Sequence, residues 1–135
     1  MKLTDAVGAY RALAQMMKEA WDFDFIYPLL QLWRELRTDY EFFCNEEIRL
    51  VTVYGKKNGE GKVEIAADGS FAFADATAAE AYRQAHEELG QRDIGEKQKI
   101  TLAPPACIRG EWVAALAPYC DFKKKEGALK NHETA

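Results

Sequence analysis

The chain has 135 residues, 48% of them hydrophobic and 30% charged, with a formal net charge of −4. That length predicts one domain, with enough core to fold without metal or disulfide staples. The acidic balance weighs against direct binding to a nucleic-acid backbone, and the composition offers neither an apolar run of about 18 residues nor, in MKLTDAVGAYRALAQMMKEA, the unbroken apolar region of a secretion signal, so a cytoplasmic protein with no membrane partner is expected.

Leu3, Val7, Tyr10, Leu13, Met17 and Trp21 recur at spacings of three and four, which predicts a first helix over 4–21. Thr4 or Asp5 can cap it. The stretch WDFDF interrupts, and Pro28, tolerated at a first helical position, marks the start of a second helix. There Leu29, Trp33, Leu36, Tyr40, Phe43, Glu47, Leu50 and Tyr54 form a stripe that is apolar except at Glu47. The helix runs to Gly55, a rod of about 40 Å. A short connection predicts that the two helices pair antiparallel. The first is about two turns too short to cover the second.

Beyond Gly55 the pattern becomes alternating. Lys62-Val63-Glu64-Ile65 and Ser70-Phe71-Ala72-Phe73 flank Asp68-Gly69, a hairpin signal. Thr77 through Glu80 reads as a capping box opening a third helix over 77–89, stopped by Gly90. A late strand is expected over 97–102, and a short helix over 109–117 with Trp112, Val113 and Leu116 inward, ending at Pro118. The polar, basic stretch 123–135 is expected to be a disordered tail, which leaves 1–122 as the folded domain. The predicted class is α+β: a long antiparallel helical hairpin packed with a small, mainly antiparallel sheet and two shorter helices.

Motifs for chemistry fail one by one. GKKNGEGK resembles a phosphate-binding loop, but Gly55 is one residue too far from Gly61, position 63 is Val, and a helix precedes rather than follows. His86-Glu87-Glu88 begins a zinc-protease motif whose second histidine position is Gly90. Cys44, Cys107 and Cys120 form no paired spacing and read as reduced thiols. The carboxylate pairs Asp22 with Asp24, Glu46 with Glu47 and Glu87 with Glu88 read as helix-end and solvated positions. No metal, no cofactor and no catalytic residue are therefore expected.

The aromatic stripe carries the remaining signal. A packed core accounts for Trp33, Tyr40, Phe43, Leu50 and Tyr54, but the length mismatch between the helices exposes part of the stripe to a partner. Those five are the candidate contact residues, for a protein partner or for a homodimer along the second helix. Arg34, Arg37 and Arg49 mix with Glu35, Asp39, Glu41 and Glu46 on the outer side, which does not fit base stacking in a basic surround.

The order of these segments resembles a group of small phage- and prophage-encoded proteins of unknown function. The resemblance covers residues 2–122. It rests on a long helix ending Val51-Thr52-Val53-Tyr54-Gly55, a late strand, and a terminal helix ending before Tyr119-Cys120-Asp121-Phe122. It implies a phage or mobile-element setting in which small proteins assist assembly or modulate a host factor. The expectation is a non-enzymatic accessory protein acting through protein contacts. The alternative is a regulator of nucleic-acid transactions, through an acidic face imitating a phosphate backbone or through contact with a DNA-binding protein.

Overall fold

A computed structural model describes residues 1–123. The expected tail lies outside the described residues, apart from Lys123. The chain forms α1 (Leu3–Met16), α2 (Phe23–Tyr54), α3 (Ala76–Gln91), β1 (Ile100–Leu102), α4 (Gly110–Leu116) and β2 (Cys120–Phe122). Among the described residues, four helices and one small sheet make an α+β fold.

Helix α1 buries Leu3, Ala6, Val7, Leu13 and Met16, the three-and-four spacing that drives an amphipathic helix against a core. The Asp5 carboxylate accepts the Lys2 backbone N–H at 3.1 Å, placing a negative charge on the positive end of the helix dipole. The helix stops at Met16, five residues before Trp21, where the periodicity runs on. Trp21 instead turns back: its indole Nε1 donates to the Met16 carbonyl at 2.7 Å. The Met16 carbonyl, which also accepts the Glu19 N–H at 3.0 Å, thereby gains a second donor at the helix end.

Helix α2 begins at Phe23 rather than Pro28 and spans 32 residues, about 48 Å. Phe25 and Leu29 are both buried, and Phe25 packs 5.4 Å from Trp21. That burial extends the helix ahead of the proline. Pro28 therefore sits in the second turn, where it has no N–H for the Asp24 carbonyl. The third helix also starts early. Its cap is Asp75, whose side chain accepts the Ala78 N–H at 2.8 Å, and Thr77 lies inside the first turn. Gly90 does not end it; a Cβ there would lie 3.4 Å from Thr4, so the glycine marks a close approach of α3 to α1.

The sheet differs most from expectation. The turn at Ala66–Gly69 forms, with Ala66 N–H on the Ser70 carbonyl at 2.8 Å and Gly69 at φ 85°. The ladder that should follow does not: the stretch 55–73 makes only two isolated antiparallel bridges, Gly55 to Phe73 and Lys57 to Val63. The two named strands are instead parallel, with Ile100 opposite Cys120 and Leu102 opposite Phe122. Helix α4 fills the connection between them, as a parallel pairing demands a crossover.

Two core clusters lie along α2. The first gathers Leu13 and Met16 of α1, Phe25, Leu29, Leu32 and Leu36 of α2, Leu102, Trp112 and Leu116, and Tyr119 with Cys120. The second gathers Leu3 and Val7, Phe43 and Leu50, and Leu89 of α3. Each fully buried leucine contributes about 1.5–3 kcal/mol of transfer free energy. Among the described residues, no helix is long and apolar enough to cross a membrane.

Candidate functional site

The five expected contact residues fall into the two clusters. Trp33 is half-buried, with its ring 5.7 Å from Tyr10. Tyr40 stacks on Tyr10 at 4.2 Å. Phe43 and Leu50 are each only 6% exposed. Tyr54 is half-buried against the second cluster. Leu3 and Val7 of α1 and Leu89 of α3 form one buried cluster with Phe43 and Leu50. Phe43 and Leu50 are thus core residues of this chain and present no contact surface.

One exposed apolar surface lies to one side of that stripe. Ile48 is 65% exposed on α2, and Ile65 is 60% exposed on the segment that follows. They border a cleft of about 530 Å³, lined by Cys44, Ile48 and Val51 of α2, by Val63, Ile65 and Phe71, and by Tyr82 of α3.

The far wall of this cleft is built by turns. Gly55 ends α2 in an extended conformation. Val63 seats so closely on it that a Cβ at position 55 would stand 2.7 Å from a Val63 methyl. The Asn58 side chain accepts the backbone N–H of Glu60 at 2.9 Å and of Lys62 at 3.2 Å, while Gly61 N–H goes to the Asn58 carbonyl at 3.0 Å. In the GKKNGEGK run the amides of Glu60, Gly61 and Lys62 are thus committed to Asn58, and those of Gly55, Lys56 and Asn58 to backbone carbonyls, so these six do not converge as a phosphate cradle. At the second turn the Asp68 carboxylate accepts the Ser70 hydroxyl at 2.6 Å and its N–H at 2.9 Å. Those two bonds hold the carboxyl below the usual range.

An aromatic chain ties this wall to the helices. Phe71 and Phe73 each lie 5.4 Å from the Tyr82 ring. Tyr82 stacks with His86 at 5.7 Å, and Phe43 meets the edge of His86 at 5.6 Å. His86 Nε2 contacts Glu47 Oε2 at 2.7 Å. Burial and then the Glu47 charge raise the Tyr82 phenol above its ordinary value. His86 is a half-buried bridge between α3 and α2.

Chemically the arrangement is self-satisfied. Glu47 and His86 use each other, and the thiol of Cys44 is half-buried. Among the described residues, no three His, Cys, Asp or Glu side chains cluster to hold a metal ion. What remains unmatched is apolar surface. Two signals for it were readable: Ile65 ends an alternating run, and Ile48 falls off the buried stripe of α2. The chain matches no family model, no curated protein and no solved structure with which it was compared.

Proposed function

We propose that the chain is a non-enzymatic accessory protein of phage or prophage type, acting in the cytoplasm through protein–protein contacts in assembly or in modulation of a host factor. The helical pair α1 and α2 serves as an antiparallel hairpin scaffold, and the cleft beside it is the contact site. Exposed Ile48 and Ile65 at the rim of one apolar cleft carry this reading, because contiguous exposed apolar surface meets partners. A photo-crosslinking residue at Ile48 should give adducts of discrete mass in the host cell. The same residue at Arg34, exposed elsewhere on α2, should not, and Ile65→Lys should abolish the Ile48 adducts. Equal crosslinking at the two positions would overturn the assignment.

The nucleic-acid alternative has less support. The acids that would imitate phosphates are partly neutralised: Glu41 pairs with Arg37 at 3.1 Å and Glu46 with Arg49 at 2.9 Å.

A further inference from the structure

The wall of the cleft has a used edge and an unused one. The Lys62 carbonyl accepts Asn58 N–H, and Ala66 N–H reaches the Ser70 carbonyl, both at 2.8 Å. Along an extended segment, successive residues direct their N–H and C=O groups to opposite edges. Lys62 and Ala66 spend one edge on intrachain bonds. Val63 and Ile65 point theirs to the other, where neither N–H finds a backbone acceptor among the described residues. An exposed edge of this kind is a template for another strand.

We infer that a second copy of this chain occupies it, with residues 62–64 of two copies paired antiparallel about a two-fold axis at Val63. This names the partner for the contact reading above and rests on it. Charge selects both occupant and register. Centred on Val63, the pairing sets Lys62 opposite Glu64 of the second copy, and Glu64 opposite its Lys62. The same segment thus supplies both halves of two opposite-charge pairs, the self-complementarity that a two-fold interface needs. Val63 meets its own counterpart as a hydrogen-bonded pair, using its free N–H and C=O. Gly61, Lys62, Val63 and Ile65 all line the cleft, so the pairing sets the two clefts beside each other.

The test is the mass of the full chain by light scattering across concentration. A dimer in equilibrium with monomer is expected. Lys62→Glu and Glu64→Lys each place like charges opposite at two positions, and should weaken it about tenfold. The double variant restores opposite charges and should return to within about twofold of the starting protein. Both positions are exposed, so these variants fold. Val63→Cys in a Cys107→Ser background should oxidise to a disulfide dimer, because facing residues of such a pair stand about 5.5 Å apart at Cα, within disulfide reach. A monomer at every concentration, or a double variant no tighter than the singles, overturns the inference. If the mass is monomeric while Ile48 still crosslinks to a different protein, the wider contact reading stands and only the second copy falls. If neither occurs, both fall.

Discussion

Glu47 Oε2 and His86 Nε2 lie 2.7 Å apart, joining positions 39 residues distant and pinning α3 to α2. Each side chain keeps about a third of its surface in solvent, so the pair is partly screened. Glu47→Ala and His86→Ala should each cost about 0.5–1 kcal/mol in a denaturant titration. Together they should cost less than their sum, because the two side chains share one contact. Additive costs would show that the contact contributes nothing.

Gly55→Ala tests the seat of the cleft wall. A Cβ at this position would stand 2.6 Å from the Val51 carbonyl oxygen and 2.7 Å from a Val63 methyl. The backbone there has φ −71°, which any residue adopts, so only space is at issue. Overpacking of this kind costs about 1–3 kcal/mol. Hydrogen exchange should quicken at Lys56, whose N–H bonds the Ala72 carbonyl at 2.8 Å, while α1 keeps its protection. Unchanged exchange at Lys56 would contradict the seating.

Tyr119 is fully buried, and among the described residues its hydroxyl has no hydrogen-bond partner. Tyr119→Phe removes a desolvated polar group without opening a cavity, so stability should hold or rise by about 1 kcal/mol. A loss of more than about 1 kcal/mol would mean that the hydroxyl is bonded.

The same burial makes the fold sensitive to alkali. It pushes the Tyr119 phenol from 10.0 up to about 12, with the charges of Asp5 and Asp39 adding to it. It pushes the Cys120 thiol from 9.0 up to about 11. Both groups keep their protons longer in the folded state, so the unfolded chain ionises first and gains. Stability is therefore full below about pH 9 and falls as pH rises through 12. Urea midpoints measured from pH 7 to 12 should show this decline. Cys120→Ala should remove its lower part, from about pH 9 to 11, and Tyr119→Phe its upper part.

Gln15 presents another point of failure. Its Oε1 accepts the indole N–H of nearly buried Trp112 at 3.1 Å, linking α1 to α4. Gln15→Leu strands that donor and should cost about 1–3 kcal/mol in thermal unfolding. Gln15→Glu keeps an acceptor and should cost much less.

Much of this architecture is readable from periodicity, which reports which face of a helix is buried. The stripe from Leu29 to Tyr54 is buried or half-buried throughout, Glu47 included, and the short helix after residue 109 is present. Periodicity does not report what does the burying. Phe43 and Leu50 look identical whether α3 or another molecule covers them. Helix ends depend on contacts as well as propensity: the Trp21 indole closes α1, and burial of Phe25 starts α2 ahead of Pro28. The alternating runs at 62–65 and 70–73 have the residue types of a hairpin, and the Asp68-Gly69 turn forms. Their partners are Lys57 and Gly55, however, so no ladder follows the turn. The parallel direction of β1 and β2 is set by how α4 docks, which no local pattern encodes. Glu47 was visible as the one polar residue in the stripe, and its distant partner His86 was not.

Leu3 N–H bonds the Arg92 carbonyl at 2.8 Å, and Lys2 bridges Asp93. The start of α1 is thus fastened to residues translated some ninety positions later. During synthesis α1 and α2 can form and meet while Leu3 and Val7 wait for Leu89 to complete their cluster. The second core cluster closes only after α3 has emerged, and Leu102 must wait longer still for Lys123 N–H. Order of translation is therefore not order of assembly. A nascent chain halted before residue 92 would carry an unsealed apolar seam, the kind of intermediate that chaperones or premature association act upon.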